Sequence, residues 1–347
     1  MRQMNLRKGS LKRLFSVTIG RRNVEEENDK GSDVCPAHGS IRSLEISAGT
    51  EQFQRPKWKC FSYQEIFKAT NGFHSDNMVG KGGYAEVYRG VLIDGQVIAV
   101  KRLTKASADE QKEKEFLTEL GTIGHVSHPN ILPLLGCCVD NGLHLIFEFS
   151  LRGSVSSLLH VVLNSCENIL ADEKLPPMDW KTRYKIAVGT ARGLHYLHQG
   201  CQRRIIHRDI KASNILLTAD FEPKVWILVN IKHNPVVGYL APEYFMHGIV
   251  DEKTDVFAFG VFLLEIASGR KPAKPMLSEG NTTMLVDRNL GGDYDDQQLQ
   301  RLAFTASLCI RPSATWRPSM SQPDTCGISY IYGVTTTLNN EKKAWPI

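Results

Sequence analysis

His207-Arg208-Asp209-Ile210-Lys211-Ala212-Ser213-Asn214 sets a carboxylate, an ammonium and an amide at fixed intervals within one turn-like segment. Asp209 can accept a proton from an attacking hydroxyl, Lys211 can neutralise developing negative charge, and Asn214 can offer an oxygen to a divalent cation. A solvated turn with chance charges explains a three-residue match of this kind, but not eight residues in this order with partners in place upstream. The set suits phosphoryl transfer.

The upstream partners come in chain order. Val79-Gly80-Lys81-Gly82-Gly83-Tyr84-Ala85-Glu86-Val87 reads as strand, glycine turn, strand. Glycines there let backbone amides approach phosphate oxygens with no side chain between, although glycine pairs also mark ordinary hairpins. Ala85 stands where a third glycine would complete G-x-G-x-x-G. Val97-Ile98-Ala99-Val100-Lys101 is a short β-branched run that places Lys101 on a strand beside that turn. From Glu110 to Ile123 the apolar residues Phe116, Leu120 and Ile123 recur at helical spacing, and Glu119 shares their face. A carboxylate on an apolar face needs a cation, so Glu119 is expected to pair with Lys101. Glu113 and Glu115, among Lys112 and Lys114, read as solvated helix surface.

With these motifs quoted, the chain resembles a eukaryotic protein kinase: glycine loop, strand lysine, helix glutamate and catalytic loop stand in the family's order. Ala241-Pro242-Glu243 follows, then Asp255-Val256-Phe257-Ala258-Phe259-Gly260, which resembles the segment whose aspartate braces the catalytic loop. Arg317 in Trp316-Arg317-Pro318 looks like the partner of Glu243. Asp209-Ile210-Lys211 is similar to the serine/threonine form. Phe61 to Phe73 and Gly238 to Tyr244 resemble plant receptor-like kinases, in particular the cytoplasmic group that binds Rho-of-plants GTPases.

The resemblance implies an α+β fold of two lobes. Within a kinase domain over 61–321, a small lobe of twisted antiparallel sheet plus one helix is expected at about 74–148, and a mainly helical lobe at about 149–321. The catalytic set implied is Asp209, Lys211, Lys101 and Glu119. ATP would contact Val79, Gly80, Lys81, Gly82, Gly83, Val87, Ala99, Lys101, Glu148 and Phe149, with Glu148 to Ser150 as the hinge and Phe147 as its gatekeeper. Asn214 would hold Mg²⁺, and Glu243, Asp255 and Arg317 would be structural. The implied substrate is a protein hydroxyl; a Rho-type GTPase is the implied binding partner. A small-molecule phosphotransferase of related fold is disfavoured, because the Ala-Pro-Glu and Asp255 segments are protein-kinase features.

One element of that pattern is missing. Relatives place an Asp-Phe-Gly aspartate about thirteen residues beyond the catalytic-loop asparagine, and that count from Asn214 lands on Ile227-Leu228-Val229. After Asp220 and Glu222 the next carboxylate is Glu243, and Glu222 belongs to the turn before Pro223-Lys224. Eleven residues separate the slot from Ala241, and residues 225 to 238 contain no Ser, Thr or Tyr to phosphorylate. The chain is also compressed beyond Arg270-Lys271-Pro272, and after Met320 the expected closing helix gives way to Pro323 and a Thr-, Tyr- and Ile-rich tail. Three abrupt breaks read as altered splicing or a gene-model error, and a full-length messenger encoding the same chain would count against that. Catalysis and Mg²⁺ binding are expected to be weakened, with a pseudokinase or signalling interaction module as the alternative function.

Composition agrees with one two-lobed domain plus tails: 347 residues, 42% hydrophobic, net charge +5. Eight cysteines occur with no C-x-x-C pair, and Cys137 and Cys138 read as buried apolar residues in a reducing compartment. The longest apolar run, Val256 to Leu264, is too short to span a bilayer, which takes roughly 20 residues. A cytoplasmic protein is expected, with no ectodomain or membrane span ahead of the kinase region. Met1 to Arg22 carries seven Lys or Arg residues and no acid, then Glu25 to Asp29 reverses the sign. Residues 1–60 read as a disordered polar tail, with weak contact to an anionic plasma membrane as its functional alternative and no nucleic-acid partner. Arg2 stands where a myristoyl anchor requires glycine. Residues 322–347 form an atypical C-terminal tail. His125, His128 and His198 read as packing or capping groups, since no metal-ligand spacing surrounds them.

Overall fold

The computed structural model describes residues 58–83, 85–104, 109–160, 178–227, 237–272 and 285–320. The expectations for residues 1–57 and 322–347, for Leu228-Val229 and for the compressed stretch past Pro272 lie outside them.

Six strands form the first layer: β1 Lys59–Cys60, β2 Met78–Lys81, β3 Ala85–Val91, β4 Val97–Leu103, β5 Leu134–Cys138 and β6 His144–Glu148. Their order is β1-β5-β6-β4-β3-β2. The sequence reading of an antiparallel sheet holds for every pair except β1 with β5, which run parallel. This is a correction in two respects, because β1 lies in the stretch assigned to the tail. The cause is Phe61, whose N–H reaches the Cys137 carbonyl at 2.8 Å and whose ring is buried.

Strand alternation then sorts the sheet into two faces. Ile98 and Val100 of β4 turn one way, into a cluster with Phe61, Ile66, Phe73, Tyr88, Cys138 and Ile146. Helix α1, Tyr63–Ala69, supplies Ile66 to that cluster and is started by a capping box in which Ser62 and Glu65 bond reciprocally. The sequence reading started the small lobe at residue 74, yet this preceding helix covers the sheet's far face. With that face filled, Ala99 and Lys101 belong to the opposite one. The register pairs them with Phe147 and Leu145 of β6, so all four share it. Helix α2, Asp109–Ile123, packs on this side with Phe116, Glu119, Leu120 and Ile123 buried, as its spacing predicts.

The second layer is helical. After the short α3, Val155–Leu159, helix α4 runs Trp180–His195 with Asp179 as N-cap, its carboxylate accepting the Thr182 N–H at 2.8 Å. The capped start is the one read from sequence. A further turn, Tyr196–Gly200, widens to π geometry and leads toward the catalytic segment. A two-stranded ladder, β7 Ile215–Leu217 with β8 Pro223–Val225, follows that segment. Helix α5, Pro242–His247, precedes α6, Glu252–Ser268, which is apolar nearly all round and buried from Thr254 to Ser268 except at Phe257 and Val261. A helix of that kind is a core post. It ends at Gly269, whose φ of 64° is left-handed and free of Cβ strain only for glycine. Helix α7, Asp296–Cys309, closes against α6. Buried Arg183 ties the layer together: Nε donates to Met178 O, Nη1 to Ile266 O and Nη2 to Asp287 Oδ2 at 2.7 Å.

Candidate functional site: a kinase cleft with one ligand replaced

Lys101 Nζ lies 2.6 Å from Glu119 Oε1, and both side chains are almost fully buried. Helical phase alone pointed to Glu119 as the counter-ion, and the register explains the meeting, since Lys101 leaves β4 on the face where α2 packs. The glycine turn sits one strand away. Gly82 N–H closes it on the Ala85 carbonyl at 2.8 Å, and Lys81 pairs with Glu86 at 3.3 Å. A side chain at Gly83 would meet nothing, and Gly80 and Gly82 have ordinary room. Protein packing therefore does not demand these glycines; an approaching ligand would. Val79 is exposed, Val87 and Ala99 are half-buried, and Glu148 and Phe149 leave β6 toward the helical layer.

The catalytic segment is held from beneath. Asp255, fully buried near the start of α6, accepts the His207 N–H on Oδ2 and the Arg208 N–H on Oδ1, each at 2.7 Å. Two amides can be gathered on one carboxylate because Arg208 takes a left-handed φ of 70°. His198 Nε2 bonds the same Oδ2 at 2.8 Å, so its role is anchoring, as expected of a packed histidine. His128 caps the Asn130 N–H and stacks on Tyr196; His125 is exposed. His207 Nε2 meets the Trp226 carbonyl at 2.9 Å, and its Nδ1 accepts the Asp209 N–H. A carbonyl only accepts, so Nε2 carries the proton. Burial holds His207 below its usual pKa and keeps it neutral.

Asp209, Lys211 and Asn214 converge as the sequence spacing requires. Lys211 Nζ is 2.8 Å from Asp209 Oδ2, and Asn214 Nδ2 donates to the same oxygen at 2.8 Å and to the Asp209 carbonyl at 2.7 Å. Farther down, Arg317 grips Glu243 with two parallel bonds, 2.6 and 2.8 Å, which holds Ala241-Pro242-Glu243 against the end of the domain. The guanidinium and its hydrogen bonds hold the Glu243 carboxyl below its ordinary pKa against the opposing effect of burial.

At the thirteenth residue past Asn214 the chemistry changes. β8 delivers Trp226, whose N–H donates to the Asn214 carbonyl at 2.9 Å, and then Ile227, which is 4% exposed. The Trp226 ring meets Phe147 edge to face, centroids 6.1 Å apart, and its indole Nε1 is buried without a hydrogen-bond partner. Mg²⁺ is normally held by one or two carboxylates, with phosphates and water completing about six oxygens. This site offers the neutral Asn214 amide, a hydrocarbon at position 227, and an Asp209 carboxylate whose Oδ2 is already taken by Lys211 and Asn214. The donor set does not fit the ion. Among the described residues there is no cluster of three His, Cys, Asp or Glu that could hold a metal elsewhere.

Two features escaped the sequence reading. Trp226 was visible one residue before the slot, but a tryptophan has no signal for where its ring lands. The second is Glu265 of α6, which bonds His160 Nε2 at 2.7 Å and the Tyr239 hydroxyl. Burial raises the Glu265 carboxyl to about 8 and lowers His160, so a neutral acid donates to a neutral imidazole. Tyr239 lies just before Ala241-Pro242-Glu243, and its hydroxyl also accepts the Ala212 N–H at 3.3 Å, joining that loop to the catalytic segment.

Comparison with known proteins agrees with this geometry. A protein of Arabidopsis thaliana named as a probable receptor-like serine/threonine-protein kinase is 52% identical over 302 residues, covering 79% of this chain and 50% of that protein. The receptor-like cytosolic serine/threonine-protein kinases RBK2 and RBK1 of the same plant are 50% and 45% identical, over 76% and 77% of this chain and 60% of each. The chain thus spans about half to three fifths of these relatives. Among solved structures, the pseudokinase domain of BIR2, an immune regulator of the RLK/Pelle family, aligns with a TM-score of 0.63 at 30% identity, covering 78% of this chain and 84% of that one. The model of the protein tyrosine and serine/threonine kinase family matches residues 73–324, the stretch that holds the Lys101–Glu119 pair, the braced catalytic loop and the Glu243–Arg317 clasp, and the chain belongs to that family.

Proposed function

We propose that this serine/threonine kinase relative keeps the family's cleft while its own phosphoryl transfer is crippled, and that its output is binding. The carrying observation is Ile227, buried where the family's principal metal-binding carboxylate belongs. Asp209, the proposed proton acceptor for a substrate hydroxyl, keeps Lys211 beside it. What is gone is charge stabilisation, on which phosphoryl transfer chiefly depends. Residual transfer is lowered by at least about a thousandfold, the scale for losing one charge-stabilising group.

Nucleotide contacts are proposed for Val79 to Gly83, Val87, Ala99, Lys101, Glu148 and Phe149, with Lys101 held ready by Glu119. The cytosolic naming of two relatives supports a cytoplasmic location. No described helix is long and apolar enough to cross a membrane, and contact of the basic N-terminal stretch with anionic lipid remains part of the proposal. The partner we propose is a signalling protein, a Rho-type GTPase first, in keeping with the plant cytoplasmic kinases that the lead-in helix resembles. The pseudokinase identity of the BIR2 domain supports a binding role.

Label transfer from ATP to a generic basic protein substrate in Mg²⁺ tests this reading. Wild type and Asp209→Asn should be indistinguishable near background. Brisk transfer by wild type that disappears in Asp209→Asn would overturn it.

A further inference from the structure

Strand β1 puts Cys60 directly beside Cys137 of β5: the two are register partners in adjacent parallel strands, so their side chains leave the same face of the sheet. Neighbouring strands lie about 4.7–4.9 Å apart, inside the window of about 4.4–6.8 Å that a disulfide needs between Cα atoms. The strands are pressed together here, since a Cβ at Gly136 would overlap the Lys59 carbonyl and the Phe61 ring. Both cysteines are free thiols; Cys60 is exposed and Cys137 is buried. β1 is a two-residue edge strand with both residues exposed, and the Phe61 N–H bond to the Cys137 carbonyl at 2.8 Å holds it in this register.

We propose that Cys60 and Cys137 form a reversible, peroxide-driven disulfide that staples the entry strand to the sheet. Cys60 is the attacking group, being the exposed one of the pair. The hydrogen bond with Cys137 draws the Cys60 thiol down to about 7, against the opposing effects of burial and the nearby Asp140 carboxylate, and holds the Cys137 thiol above its usual value. The Cys60 thiolate displaces hydroxide from hydrogen peroxide and becomes a sulfenic acid. Cys137 sulfur then attacks that sulfur; the hydroxyl leaves with the Cys137 proton as water. Two thiols lose two electrons and two protons, and peroxide becomes two waters. The bond closes the chain from β1 around to β5, fixing the segment that carries Phe61 into the core. Trp58, just before β1, lies against Gly124 at the end of α2, so the staple borders the helix that positions Glu119.

The test uses the full chain treated with stoichiometric hydrogen peroxide, alkylated with N-ethylmaleimide and mapped by mass spectrometry. The expected product is a Cys60–Cys137 cross-linked peptide, lost on reduction with dithiothreitol, with a melting temperature about 5 °C above the reduced chain. Cys137→Ala should fold and lack the cross-link, and its Cys60, oxidised more slowly without the Cys137 hydrogen bond, should stop at a sulfenic acid that dimedone captures. Cys60→Ser should fold and leave Cys137 unmodified. Free alkylation of Cys60 after peroxide, or its pairing with any other cysteine, would overturn the proposal.

Discussion

The catalytic loop and the end of β8 are joined by two hydrogen bonds, and they have fared differently. In the loop the buried polar side chains have partners within the protein: Asp209 has Lys211 and Asn214, and His207 has the Trp226 carbonyl, while Asp255 takes the amides of His207 and Arg208. At the end of β8 the one residue whose family role is to hold a metal is an isoleucine, packed out of water. Groups that both shape the fold and serve chemistry are retained; the group that serves only the ion is replaced by hydrocarbon. On the proposed reading fold and turnover are separable in this scaffold, because buried polar groups must be satisfied whether or not a reaction occurs.

Substitutions can break the contrast. The largest effect is expected at the clasp: Arg317→Ala strands the Glu243 carboxylate and forfeits bonds to the Arg311, Lys253 and Pro312 carbonyls. Urea unfolding should show a loss of about 3–5 kcal/mol. Lys101→Met removes the ammonium that meets buried Glu119 and should cost about 2–4 kcal/mol, with binding of the proposed GTPase surviving at a temperature where the variant is folded. Restoring the carboxylate sharpens the comparison further. Ile227→Asp should lose about 2–3 kcal/mol in EDTA and regain melting temperature as Mg²⁺ is added, whereas wild type should ignore the ion in the same titration.

The smallest effect concerns pH. Glu265 holds its proton in the fold up to about 8, against 4.5 for the ordinary carboxyl, so the folded state binds more protons between those values. Its contribution is full below about 4.5 and is lost as pH rises through about 8. His160, lowered by burial, acts oppositely and weakens the fold on the acid side. Glu265→Gln should therefore flatten the fall in stability between about pH 4.5 and 8 by about 1–2 kcal/mol, read from melting temperatures between pH 5 and 9.

Much of this was legible in the chain. Helical spacing placed Glu119 on the buried face of α2, β-branching placed Lys101 on a strand, and the two met. Asp179 announced its helix, and Asp255 and Arg317 took the anchoring positions their motifs implied. What was illegible depends on contacts distant in sequence. Nothing local says that Lys59 and Cys60 join a sheet through β5, because a two-residue strand has no periodicity of its own. Nor could spacing reveal that Trp226 meets Phe147 or that Glu265 gathers His160 and Tyr239. Those pairings come from the packing of separate layers, which only the folded chain brings together.

The central claim is that this cleft has lost its use for the divalent ion. Calorimetric titration of the full chain with ATP, once in Mg²⁺ and once in EDTA, measures that directly. The account predicts the same affinity, weak or strong, in both. Affinity that rises tenfold or more with Mg²⁺ would mean that other oxygens complete the metal site, and would contradict it.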